Sequence, residues 1–132
     1  QVIAPGGLDQ IILGPPESVP SRYAGRKMLL HTPRITVVRT SAQELAKAAR
    51  AIAQRLGQSK GPVAVILPLR GFSVISTEGQ PLHDPQADRA FIETIKEALS
   101  TRIRTVELDT HINDVKVARV ATEVMLEMLA DG

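Results

Sequence analysis

The sequence predicts an α/β fold: a Rossmann-like, three-layer domain built on a mainly parallel sheet. Three observations predict it. Apolar runs of strand length alternate with helical stripes, as in successive βαβ units. The run Val63–Leu69 is apolar on both faces, as a central parallel strand covered by helices requires. Glycine, hydroxyl, cationic and His/Asp groups follow directly on the predicted strands, where open parallel sheets bind ligands.

The elements follow in order. Val2–Ala4 is a short apolar run stopped by the turn signal Pro5-Gly6-Gly7. Leu8–Leu13 fits helix and strand alike, and Gly14-Pro15-Pro16 ends either one. Residues 15–34 carry four prolines and read as an irregular connection. Ile35–Val38 is rich in β-branched residues and reads as the second strand of the parallel sheet, ending at Arg39-Thr40. Ser41 caps the next helix, with Glu44 completing a capping-box pattern. Its stripe is Leu45, Ala49, Ile52 and Leu56, and Gly57 ends it. Pairing fades at Pro68, which has no N–H to donate, and residues 70–83 form a long loop. Asp84-Pro85 caps and opens the second helix, with Phe91, Ile95, Ala98 and Leu99 facing inward. Thr105–Asp109 alternates polar and apolar, the pattern of a half-exposed strand near a sheet edge. Asn113 or Asp114 caps the last helix, whose inward residues are Val117, Ala121, Val124 and Met128.

Composition narrows the function. A chain of 132 residues fits one domain with a real core. Tyr23, Phe72 and Phe91 are the only aromatics, so the core is aliphatic and stacking platforms for single-stranded nucleic acid are missing. With no cysteine there is no disulfide, thiolate metal site or cysteine nucleophile, and a cytoplasmic location fits. No apolar run reaches membrane-spanning length. The chain opens on Gln-Val-Ile-Ala-Pro, already strand-like, and reads as most of the C-terminal domain of a larger two-domain protein. Residues 1–60 hold nine Lys/Arg against three Asp/Glu, and residues 61–132 hold seven against eleven. Solvated helix faces explain that asymmetry, and so does a first half that meets an anion or acidic partner. The basic residues are spread out, without a helix-turn-helix pattern, which speaks against duplex DNA.

The strand ends supply the candidate site. Gly6 and Gly7 follow the first strand, Arg39, Thr40 and Ser41 the second, Arg70, Gly71 and Ser73 the third, and Asp109, His111, Asn113 and Asp114 the fourth. Thr40-Ser41 opens a helix, so free N–H groups and the helix dipole favour an anion beside Arg39. Arg70 reads as an anion clamp or as half of a structural ion pair. Ser73 resembles part of a nucleophile elbow, but Ile75 stands where G-x-S-x-G needs its last glycine. His111 has the chemistry of a general acid/base oriented by Asp109 or Asp114, and the same groups suit a divalent metal. The plainer alternative has Asp109 and Asn113 satisfying loop backbone and capping the last helix. His31, His83 and His111 all fall in predicted loops, which allows one shared site.

Leu13-Gly14-Pro15-Pro16-Glu17-Ser18-Val19-Pro20, Gly25-Arg26-Lys27, Ile35–Thr40, Leu67-Pro68-Leu69-Arg70-Gly71 and Glu107–Asp114 occur together, in this order. Together they resemble the C-terminal part of an uncharacterised bacterial protein family. That family is related to the ATP-binding region of the tomato tobamovirus-resistance protein. The resemblance covers nearly the whole chain. It implies two Rossmann-like domains facing one cleft, with this chain as most of the second. It also makes ATP or another nucleotide a candidate ligand, whereas the plant protein's antiviral role does not transfer to a bacterial relative. Val115 departs from the family, where proline is common.

The leading expectation is a small anionic ligand, ATP or another phosphorylated metabolite, at the strand rim, in a cleft shared with a missing N-terminal domain. An enzyme using His111, and an interaction module, are the alternatives. Apolar surface left by the missing domain predicts a homo-oligomer.

Overall fold

The computed structural model describes residues 1–130. In chain order the elements are β1 (Val2–Ile3), β2 (Gln10–Leu13), β3 (Met28–Thr32), β4 (Ile35–Arg39), α1 (Ala42–Gly57), β5 (Ala64–Pro68), α2 (Pro85–Ala98), β6 (Arg104–Leu108) and α3 (Val115–Ala130). They form two sheets. One is parallel, in the order β1-β5-β6, and the other antiparallel, in the order β2-β4-β3.

The parallel sheet is built as its sequence requires. β5 is buried along its whole length. Its residues alternate between two cores. Val65 and Leu67 pack with Leu45 and Ala49 of α1 and Phe91 and Ile95 of α2. Ile66 packs on the other face with Leu108 and with Val117 of α3. Helices therefore cover both faces, giving three layers. Phe72 and Phe91 meet edge to face, with ring centroids 5.1 Å apart. β6 is an edge strand, and only its Val106 and Leu108 turn inward.

The helix starts follow their local chemistry. Ser41 Oγ accepts the Glu44 N–H at 3.2 Å, and Glu44 Oε2 accepts the Ser41 N–H at 2.8 Å, a complete capping box. Asp84 Oδ1 accepts the Ala87 N–H at 3.1 Å, with Pro85 at the first helical position.

The antiparallel sheet corrects the sequence reading. Ile35–Val38 is not a strand of the parallel sheet. It is the centre of a separate one, paired with Met28–Thr32 and with Gln10–Leu13. Part of the proline-rich connection is therefore strand β3, and the ambiguous Leu8–Leu13 run is mostly strand β2. The physical reason is the short link at Pro33-Arg34. It closes a hairpin between β3 and β4, with the Arg34 N–H donating to Thr32 Oγ1 at 3.2 Å. A parallel neighbour would need a long crossover. β-branched residues suit either pairing, so the composition of β4 could not decide it.

β5 gives the first prediction. Val65→Asp places an unpaired carboxylate between helices, costing several kcal/mol against a total of about 5–15 kcal/mol for an ordinary domain. The variant should lack a cooperative thermal transition by circular dichroism. A normal transition would refute the two-sided burial of β5.

Candidate functional site: the strand rim and its flanking clefts

Three loops leave the carboxyl ends of β1, β5 and β6 and are joined by backbone hydrogen bonds. The Gly7 N–H donates to Phe72 O at 2.7 Å, the Arg70 N–H to Thr110 O at 3.0 Å, and the Ile112 N–H to Gly71 O at 3.0 Å. The glycines permit this close approach. A Cβ on Gly6 would stand 3.2 Å from Ile112 Cγ1. Gly71 has φ +125°, and its Cβ would stand 3.1 Å from Ser76 Oγ. Gly6, Gly7 and Gly71 thus let rim loops pack on one another.

The remaining candidates divide among three clefts. Arg70 and His111 share the first, of about 520 Å³, with Thr77, Glu78, His83 and Asp88. Arg39, Thr40 and Ser41 line a second, of about 350 Å³. Ser73 and Asn113 line a third, of about 420 Å³, against Ile12, His31 and Val37 of the antiparallel sheet. His31 is therefore on strand β3 and apart from His83 and His111, so the three histidines form no common site.

Arg39 is where the shared-rim expectation needs correcting. It ends β4 of the antiparallel sheet, and its side chain is interior, with 3% of the residue exposed. The guanidinium donates to Asp88 Oδ1 at 2.5 Å, Asp84 O at 3.0 Å and Asp9 O at 3.1 Å. Burial pushes the Asp88 carboxyl above its usual range, against the opposing pull of Arg39. Arg39 and Arg70 line different clefts. The Arg39–Asp88 pair stands between two clefts, with Asp88 lining the first and Arg39 the second.

Two buried acids escaped the sequence reading. Asp9 is fully buried, and its Oδ2 accepts a very short hydrogen bond from the Ser73 hydroxyl. Ser73 is thus held by a carboxylate and Ser76. Nothing in the local sequence marks Asp9. Asp88 was legible, because Ala87, Asp88, Phe91 and Ile95 form one inward stripe and a carboxylate there demands a partner.

The exposed acids are committed elsewhere. Arg70 Nε and Nη2 meet Asp109 Oδ1 and Oδ2 at 2.5 and 3.0 Å, a bidentate pair that lowers the Asp109 pKa. Asp114 Oδ2 accepts the Thr110 hydroxyl at 2.5 Å and its Oδ1 the Lys116 N–H at 2.8 Å. Those bonds, the Thr110 one foremost, hold its pKa down, and the second caps α3. Neither carboxylate hydrogen-bonds His111, whose Nδ1 is buried without a partner. Among the described residues, no group of three or more His, Cys, Asp or Glu is placed to hold a metal ion. No described helix is long and apolar enough to cross a membrane.

The comparisons with known proteins accord with the motif order. The family described as "Uncharacterised protein family (UPF0261) C-terminal domain" matches residues 1–129. The chain belongs to this family. It is 32% identical to a UPF0261 protein of Clostridium tetani, over 98% of this chain and 32% of that protein. It is 38% identical to the UPF0261 protein RA0729 of Rhizobium meliloti, over 88% of this chain and 30% of that protein. It is also 30% identical to the ToMV resistance protein Tm-1(GCR237) of Solanum lycopersicum, over 96% of this chain and 17% of that protein. The chain thus spans about a third of the length of its bacterial relatives.

Two predictions follow from the ion pairs. Arg39→Ala strands a buried carboxylate and should cost roughly 3–5 kcal/mol in urea unfolding, whereas Arg39→Met with Asp88→Leu should recover most of that. A double variant no more stable than the single one would refute the pairing. The second concerns pH. The Arg26 hydrogen bond holds Glu44 down from its ordinary 4.5 to about 2. A depressed carboxyl stabilises the fold above its unfolded pKa, and that stability fades as pH falls from about 4.5 toward 2. The contribution is small, because both side chains are partly exposed and salt screens them. Glu44→Gln should flatten this acid limb in urea midpoints. An unchanged limb would show that Glu44 is not its source.

Proposed function

We propose that this domain binds a small anionic ligand in the rim cleft, with Arg70 as the clamp and His83 and His111 as hydrogen-bonding groups. A nucleotide such as ATP, or another phosphorylated metabolite, has the required chemistry. The reading rests on one observation above all. His111 carries a buried, unpartnered Nδ1 in the wall of a cleft that also holds Arg70 and His83. Buried polar atoms in native proteins nearly always have partners, so an orphan in a cleft wall points to something that comes and goes.

In this reading the parallel sheet belongs to a Rossmann-like arrangement whose cleft is closed by the part of the longer relatives that this chain does not span. The same missing part accounts for exposed Leu126 and Leu129 on α3, and a second copy of the chain is the alternative cover. A cytoplasmic setting suits such a ligand. Ligand binding is favoured over acid–base catalysis because Asp109 is held by Arg70 and Asp114 by Thr110, which leaves His111 without an orienting carboxylate.

Native mass spectrometry of the purified protein should reveal a retained anionic metabolite, and ATP titration is the first probe by name. Arg70→Ala should weaken binding about ten- to a hundredfold, the worth of one charge-assisted hydrogen bond. Binding that ignores both Arg70→Ala and His111→Ala would sink the rim assignment.

A further inference from the structure

The second cleft has its own chemistry. It lies where the N-terminal ends of α1 and α2 meet, between Arg26 and Lys27 on one side and Asp84 and Gln86 on the other. We propose that it binds a phosphoryl group, independently of the rim cleft.

The charge in this cleft is mostly positive. Arg26, Lys27 and Arg39 line the cleft against one carboxylate, Asp84, whose Oδ1 already accepts the Ala87 N–H. Arg26 is spent on Glu44 and Arg39 on Asp88, which leaves Lys27 as the free cation. Its Nζ donates to His83 O, and an ammonium group has two further protons to give.

Backbone donors reinforce it. Ala42 and Gln86 line the cleft in the first turns of α1 and α2, and first-turn N–H groups have no intrahelical acceptor. Two positive helix ends therefore face one volume. Ser41 is not among the donors, because its N–H and hydroxyl are both taken by Glu44.

The independent observation is buried in the cleft wall. Thr40 is 8% exposed and Arg39 3%, and neither Thr40 Oγ1 nor Arg39 Nε has a partner. Two adjacent residues thus hold unmet donors at the place where two helix ends and a lysine converge. Three cations and two helix ends face a single carboxylate, Asp84, whose Oδ1 is already taken by the Ala87 N–H, a balance that favours an anion. The donors approach from the strand end, from both helices and from Lys27, a spread that suits a tetrahedral oxyanion better than a planar carboxylate with two oxygens.

The test uses inorganic phosphate and phenyl phosphate as probes, read by calorimetry and by thermal shift. Thr40→Val keeps the side-chain shape and removes an unsatisfied hydroxyl, so without phosphate it should unfold no earlier than the parent. It should nevertheless bind phosphate about tenfold more weakly or worse. Lys27→Gln, at an exposed position, should weaken binding and flatten its salt dependence. In an Arg70→Ala background, which removes the rim clamp, one phosphate site should remain, and adding Thr40→Val should still weaken it. A preference for phenyl phosphate names a phosphate ester as the source, and a preference for free phosphate names the ion. The proposal is overturned if the parent protein binds neither probe, or if Thr40→Val and Lys27→Gln both bind as the parent does. It is also overturned if binding is lost in Arg70→Ala instead, an outcome that would assign the anion to the rim.

Discussion

The buried contact between Arg39 and Asp88 ties the antiparallel sheet to the rest of the domain. Arg39 ends the central strand of the antiparallel sheet, Asp88 lies in the first turn of α2, and the same guanidinium reaches the backbone of Asp9 and Asp84. One side chain therefore joins the antiparallel sheet, the loop after β1 and the start of α2. Burying two charges carries a large desolvation penalty, and only close pairing with further hydrogen bonds offsets it. Arg39 meets that condition with three oxygen partners. Hydrophobic contact alone would leave the sheet free to slide, whereas a planar guanidinium with fixed donors sets one position.

That tether explains why the rim is divided. In a parallel sheet the loops after successive strands converge, and here they are bonded together from Gly7 to Phe72 and from Gly71 to Ile112. The antiparallel sheet is inserted between β1 and α1 and contributes Ile12, His31 and Val37 to a cleft shared with Ser73 and Asn113. Those two rim residues thus face the inserted sheet, while Arg70 and His111 face the cleft beside α2. The single edge suggested by strand order becomes three small volumes with different chemistry.

What was legible in the sequence was local. The capping box at Ser41, the Asp84-Pro85 start, the two-faced run at β5 and the alternation of β6 all depend on neighbours within a few residues. Strand pairing does not. Ile35-Thr36-Val37-Val38 has the same composition whether its partner is parallel or antiparallel, and the prolines on both sides of Met28–Thr32 hid a strand that closes on β4 through a tight turn. The burial of Arg39 was hidden for the same reason. At the end of a parallel strand an arginine reaches solvent, but at the end of β4 it points under the sheet, toward a carboxylate 49 residues away. Asp9 had no local signal, because its partner Ser73 is 64 residues distant.

The two arginines that follow predicted strands show how burial assigns roles that residue type cannot. Arg70 and Asp109 are both largely exposed, with 62% and 65% of their side chains accessible. Exposed ion pairs contribute little, since water and salt screen them. Asp109 nonetheless holds the guanidinium in a bidentate geometry that also fits an incoming phosphate or carboxylate. Under the proposed reading, an incoming anion would replace Asp109 at small cost and meet a guanidinium already oriented. Arg39 has the stronger set of bonds and the weaker claim to a ligand. Taking its Nη2 from Asp88 would leave a buried carboxylate without its counter-ion, a cost that ligand binding would have to offset in full. Only its Nε remains without a partner. Arg70 is the exposed cation at the rim, and Arg39 is the buried one that joins the antiparallel sheet to α2.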